Sequence, residues 1–155
     1  MRRAVLEDAH ILASLRKLFW EDQISKGLLD IPPLDAEALL DSSVSLLKRP
    51  RTTVYLAFRG AAASGSGYIY GQARIVPGSQ SAMVGSIEEL YVDPVHGTPS
   101  TALALMRNAI EDLKAFGATR VKARVLNNNT RARKFHELGG FSMNLIVYEL
   151  DMSVT

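Results

Sequence analysis

Residues 87–102 read Ile-Glu-Glu-Leu-Tyr-Val-Asp-Pro-Val-His-Gly-Thr-Pro-Ser-Thr-Ala, and most of the chain's capacity for chemistry is gathered there. The first half alternates as a buried strand, Asp93-Pro94 makes a turn, and the second half opens an amphipathic helix. A strand that empties through a short loop into a helix N-terminus aims unpaired NH groups at one point. The helix dipole adds partial positive charge there, so the point is a natural anion site. Alternate strand residues share a face, which groups Glu88 with Leu90 and Val92 and turns Glu89 the other way. Glu88 is then a carboxylate able to take a proton, usually through water. A structural alternative stays open, in which Glu88 pairs with Arg74 or Arg124. Further on, Asn129 and His136 offer an amide and an imidazole, the latter with a reference pKa of ~6.5 that lets its charged form donate a proton.

These residues need elements to hold them. A short strand over 2–5 precedes a helix that Asp8 can cap, with Ile11, Leu12, Leu15, Leu18 and Phe19 on one face. A second helix spans 35–47 and stops at Arg49-Pro50. Residues 52–59, 67–76 and 83–92 read as three antiparallel strands, the first two joined by a small, flexible hairpin connection. A helix over 99–116, a turn at Gly117 and a strand over 120–125 complete a crossover, which implies a locally parallel pair. A fourth helix over 129–138 ends at Gly139-Gly140, and 141–152 returns as one or two strands. The expected architecture is α/β (α+β): one domain over 1–155, with a mixed, mostly antiparallel sheet of six to seven strands, a central parallel pair and four flanking helices.

Composition narrows the chemistry. With 155 residues, 47% hydrophobic, the chain can bury a single core. It has no cysteine, which excludes disulfides, thiolate metal ligands and a cysteine nucleophile. No apolar run approaches the ~20 residues that cross a bilayer, and the N-terminal residues do not resemble a signal peptide. A cytoplasmic location without membrane association is expected. The net charge of +2 is too small to suggest nucleic acid, but it is unevenly spread. Residues 21–41 carry Glu21, Asp22, Asp30, Asp35, Glu37 and Asp41 against Lys26 alone, whereas residues 107–134 are mostly basic. Solvated helix faces explain this as well as a polyanionic cofactor on one side and a cationic ligand on the other.

The order Leu90-Tyr91-Val92-Asp93-Pro94, then Gly97-Thr98-Pro99-Ser100-Thr101-Ala102, resembles the GNAT family of N-acetyltransferases. There an apolar-x-Val-Asp-Pro strand end leads to a Gln/Arg-x-x-Gly-x-Gly/Ala loop around the pyrophosphate of acetyl-CoA. Only Ala102 satisfies that loop here; Gly97 replaces the Gln/Arg and Ser100 the first glycine. Asn129-x-x-Ala132-x-x-Phe135-His136 with Gly140-Phe141 is similar to the family's second motif at identical spacing, with His136 in place of tyrosine. The resemblance implies that the parallel strands splay apart and admit the pantetheine arm of acetyl-CoA. It assigns Leu90, Tyr91, Val92, Gly97, Thr98, Ser100, Thr101, Ala102, Leu103, Asn129 and Phe135 to the cofactor. It also implies Glu88 as base, His136 as acid, and Trp20, Glu21, Asp22, Asp30 and Tyr70 as acceptor contacts.

Thr98-Pro99 is a good helix opening in itself. If the Thr98 hydroxyl caps the first turn, those NH groups are less available to phosphate; otherwise the Thr98, Ser100 and Thr101 hydroxyls can donate to it. The expected reaction is direct transfer of acetyl to a primary amine in a ternary complex, the acceptor small and cationic, with no metal. A protein N-terminus or lysine as acceptor, and a non-catalytic acyl-CoA sensor on the same scaffold, are the alternatives. Dimers are common in the family, which leaves a homodimer open.

Overall fold

The computed structural model describes residues 1–28, 35–59 and 64–145. Its elements are β1 (Arg2–Arg3), α1 (Ala9–Ser25), α2 (Ala36–Lys48), β2 (Thr52–Ala57), β3 (Gly67–Ile75), β4 (Met83–Val92), α3 (Pro99–Ala115), β5 (Ala118–Ala123) and α4 (Thr130–Leu138). The strands form one sheet in the order β1-β2-β3-β4-β5, antiparallel except for the parallel β4–β5 pair. Five strands lie among the described residues. Residues 141–145 are not a strand, and the remainder of the expected final strands, 146–152, lies outside the described residues. No helix among those described is long and apolar enough to cross a membrane.

Alternation along the strands sends side chains to two cores. Ala57, Ile69, Ala73, Met83 and Ile87 face α3, where they meet Leu105, Met106, Ala109 and Leu113. Val54, Leu56, Tyr68 and Tyr70 face Leu12 and Leu15 of α1 and Leu46 of α2. Leu105 and Leu113 are fully buried, and each such burial stabilises by ~1.5–3 kcal/mol. Asp112 ties α3 to β2 by accepting hydrogen bonds from the Thr53 hydroxyl at 2.7 Å and the Tyr55 hydroxyl at 3.4 Å. At the turn into β5, Gly117 adopts φ 94°, the left-handed region that glycine enters without steric cost.

Asp8 departs from its expected role. It makes no side-chain cap on α1; its carboxylate accepts both Arg2 guanidinium nitrogens at 2.6 Å and the Val5 NH at 2.9 Å. The two-pronged charged partner outcompetes a neutral amide. α1 also continues to Ser25, through the stretch that lacks periodicity from Trp20 onward, while Asp35 does cap α2 through the Ala38 NH.

Candidate active site

The central irregularity of the sheet falls on Glu88. Tyr70 lies opposite Glu89, but the next β3 residue, Gly71, lies opposite Ile87, so β4 carries one extra residue at that point. Such a bulge bends the strand and breaks its alternation. Ile87, Leu90 and Val92 pack on the α3 core, whereas Glu89 reaches across to Arg16 of α1 and Tyr91 joins the α1 core. Glu88 is held by Gln72 and Ser86, which share a cross-strand row with Thr52. This corrects the expectation from strict alternation: Glu88 does not share a face with Leu90 and Val92, and the two consecutive carboxylates lie on one side, beside Tyr70.

Their surroundings separate them chemically. Glu89 is buried; Arg16 donates to it through Nε at 2.9 Å and Nη2 at 2.8 Å, and the Tyr68 hydroxyl donates at 2.8 Å. Burial, and then the Glu89 charge, push the Tyr68 hydroxyl well above its usual range, so it remains a neutral donor. Glu88 is half-buried. Burial opposes its charge, but hydrogen bonds from the Ser86 hydroxyl at 2.6 Å and the Gln72 amide at 2.9 Å, with Arg124 and Arg74 nearby, hold it below the usual carboxylate range. No salt bridge within 4 Å joins Glu88 to either arginine among the described residues. Tyr70 is buried next to both acids; burial first and the Glu88 charge second raise its hydroxyl.

Beyond Ile87 the sheet opens. β4 and β5 pair from Met83↔Ala118 to Ile87↔Ala123, after which β4 continues to Val92 paired with β3 alone. The loop that follows is turned in on itself. The Asp93 carboxylate accepts the NH of Val95 at 2.8 Å and of His96 at 3.3 Å, and contacts His96 Nδ1 at 2.8 Å. These hydrogen bonds, led by His96, hold the Asp93 carboxyl below its usual range. Gly97 donates to the Asp93 carbonyl, and a Cβ there would lie 1.9 Å from Val92 Cγ1. The close approach that Gly97 permits is therefore to the strand it follows.

Thr98 caps α3. Its hydroxyl accepts the Thr101 NH at 3.3 Å and contacts the Ser100 and Thr101 hydroxyls at 2.7 and 3.0 Å. Among the first-turn groups, Pro99 has no NH to offer, and the Ser100 NH has no partner among the described residues. An anion at this helix start would meet the Ser100 NH, three exposed hydroxyls and the dipole rather than a full set of free amides. Ala102 and Leu103 extend the same turn, with Leu103 exposed.

On α4, Asn129 caps the helix through the Ala132 NH at 3.0 Å, leaving its side-chain NH2 free of that bond. Phe135 packs with Leu90 and Val92 on the α3 core. His136 Nδ1 lies 2.8 Å from the Ala132 carbonyl, so Nδ1 carries the hydrogen and Nε2 is the nitrogen left to exchange a proton. The ring is flanked edge-on by Phe135 and Phe141, with centroids at 5.4 and 5.3 Å, in the last turn of α4.

The sequence pattern of the acetyltransferase (GNAT) family matches residues 12–141, which is most of the chain. The chain belongs to that family. It is an acetyl-CoA-dependent acetyltransferase. Solved structures with the same fold include the aminoglycoside 6'-N-acetyltransferase AAC(6')-IG from Acinetobacter haemolyticus, at 20% identity over 99% of this chain and 98% of that one, TM-score 0.75. AAC(6')-Iy bound to the bisubstrate analogue CoA-S-monomethyl-acetylneamine matches at 19% over 97% and 96%, TM-score 0.74. A ribosomal-protein-alanine N-acetyltransferase from Brucella melitensis matches at 16% over 97% and 98%, TM-score 0.70. A comparison with curated proteins found no match.

Of the acids expected to meet the acceptor, two are already engaged. Glu21 pairs with Lys17 at 3.7 Å and Asp22 with Lys26 at 2.6 Å, both along α1. The i,i+4 spacing supplies each partner locally, which weakens the negative field expected of 21–41. Trp20 is partly buried and stacks edge-on with Phe19 at 5.0 Å, and Asp22 lies close enough to Tyr91 to help raise its hydroxyl, after burial and Asp93. Asp30 lies outside the described residues. Nothing in the sequence singles out Ser86, Gln72, Arg16 or Tyr68. Only the strand register and the packing of α1 bring them to the two glutamates.

Proposed function

We propose that this acetyltransferase carries acetyl directly to the primary amine of a small cationic acceptor, received beside Glu88 and Tyr70. The observation that carries the reading is the β4 bulge, which sets an ionised Glu88 beside the point where β4 and β5 part. Acetyl-CoA supplies the thioester, whose C–S bond breaks as the amine nitrogen attacks its carbonyl carbon. Glu88 takes the proton the amine loses, through water, and its carboxylate also attracts the cationic acceptor. Backbone NH groups of β4 between 90 and 92 polarise the carbonyl, the free NH2 of Asn129 donates to the pantetheine arm, and Nε2 of His136 returns a proton to the departing sulfur. The Thr98, Ser100 and Thr101 hydroxyls with the Ser100 NH hold the diphosphate. The aminoglycoside acetyltransferases of the same fold lend support to a polycationic acceptor. The reaction suits the cytoplasm, where acetyl-CoA is made and used.

Release of CoA with acetyl-CoA and a panel of polyamines, aminoglycosides and lysine-like amines, beside peptides with a free N-terminal alanine, tests the reading. Turnover on the small cations that falls ~10²-fold or more in Glu88→Gln is expected. Turnover on peptides alone moves the acceptor to the protein class, and a full rate in Glu88→Gln removes Glu88 as base.

A further inference from the structure

The end of β2 beyond its pairing with β1 borders a polar cavity of about 220 Å3, lined by Arg3, Arg49, Arg51 and Thr52 with Leu47 and Phe116. Every polar side chain in that lining is a hydrogen-bond donor, and three carry positive charge. Arg3 has an acid, Asp112 at 3.5 Å, and its guanidinium lies 5.9 Å from the Phe116 ring centroid. Arg49 and Arg51 have no carboxylate within salt-bridge distance among the described residues.

Two further features belong to residues of that lining. Thr52 Oγ1 is the sole buried side-chain nitrogen or oxygen among the described residues that lacks a hydrogen-bond partner. Buried hydroxyls without a partner are rare. Arg51 is the sole non-glycine residue among those described with a positive φ, 54°, and its carbonyl accepts the Ala73 NH at 2.9 Å. A left-handed arginine is strained by its Cβ, and that cost is kept at the position that presents a guanidinium to the cavity.

We infer that this cavity is a binding site for a small oxyanion of the phosphate type, separate from the acetyl-CoA opening. The planar guanidinium fork matches the oxygens of such an anion, which would supply the negative charge that the lining lacks. The volume lies below the ~300–1,000 Å3 of pockets that take drug-sized ligands, so the occupant is a single anionic group rather than a nucleotide. β3 lies between β2 and β4, and two strand spacings put the site roughly 10 Å from the strand that borders the opening. Arg49 lies close enough to Tyr70 to oppose the rise of its hydroxyl, so the cavity adjoins the proposed acceptor side, although the assignment makes no use of the acceptor reading.

Inorganic phosphate titrated into the 155-residue chain by calorimetry, at ionic strength held constant with chloride, is the test. Saturable binding is expected, weakened at least tenfold in Arg49→Gln and in Arg51→Gly. Glycine removes the guanidinium and relieves the positive φ, so Arg51→Gly should also unfold no earlier than the parent chain and bind acetyl-CoA with unchanged affinity. No saturable phosphate binding, equal affinity in both variants, or one-for-one displacement of phosphate by CoA would each overturn the inference.

Discussion

Arg16 of α1 and Glu89 of β4, 73 residues apart in sequence, form a two-pronged ion pair in the buried seam between helix and sheet. The pair neutralises one of the two carboxylates that the bulge turns to the same side, and leaves Glu88 as the one held only by neutral partners within hydrogen-bond distance. Arg16→Met strands the Glu89 charge and is expected to cost ~3–5 kcal/mol, measured by urea unfolding. Adding Glu89→Leu to it should recover most of that loss. If the single variant is as stable as the parent chain, the pair is not what holds α1 to β4.

Glu88 must be ionised to accept a proton, so it sets an acid limb on which kcat/KM falls as pH drops through its folded pKa. Because that pKa is held below the usual carboxylate range, around 4.3 for a free glutamate, the acid limb should begin below the ordinary position. Ser86→Ala removes a hydrogen bond to the charged form, and the limb should move to higher pH. A limb that stays in place in Ser86→Ala would mean that another group titrates.

The Nδ1 hydrogen of His136 is committed to the Ala132 carbonyl, so a protonated ring can release only from Nε2. His136→Phe keeps the shape between Phe135 and Phe141 and removes the proton. A fall of about 10²-fold in kcat is expected, with the acetyl-CoA Kd changed less than twofold. Equal losses in both would make His136 a binding residue.

Thr98 is asked to cap α3 and to order the hydroxyls of Ser100 and Thr101. Thr98→Ala should lower stability by ~1 kcal/mol, and Thr98→Ser should restore it, both followed by thermal unfolding. In the alanine variant the acetyl-CoA Kd should rise several-fold as well. A Kd that does not move would take the three hydroxyls out of the diphosphate site.

Much of this molecule is legible in short windows of sequence. The bounds of β4, the start of α3 at Pro99, the cap at Thr98, and the crossover that makes β4 and β5 parallel all follow from periodicity and turn chemistry. Each is set by neighbours within a few residues, and two motifs at fixed spacing point to the family. Period-two alternation, by contrast, carries no sign of an inserted residue, so it put Glu88 and Glu89 on opposite faces. Their real placement depends on how β3 registers against β4, and the neutralising Arg16 arrives from a helix that only tertiary packing brings close. Local signals thus determine the elements and the chemistry they carry. Which carboxylate remains free to act was decided by the folded sheet, since register and buried charge pairing are properties of the chain brought back onto itself.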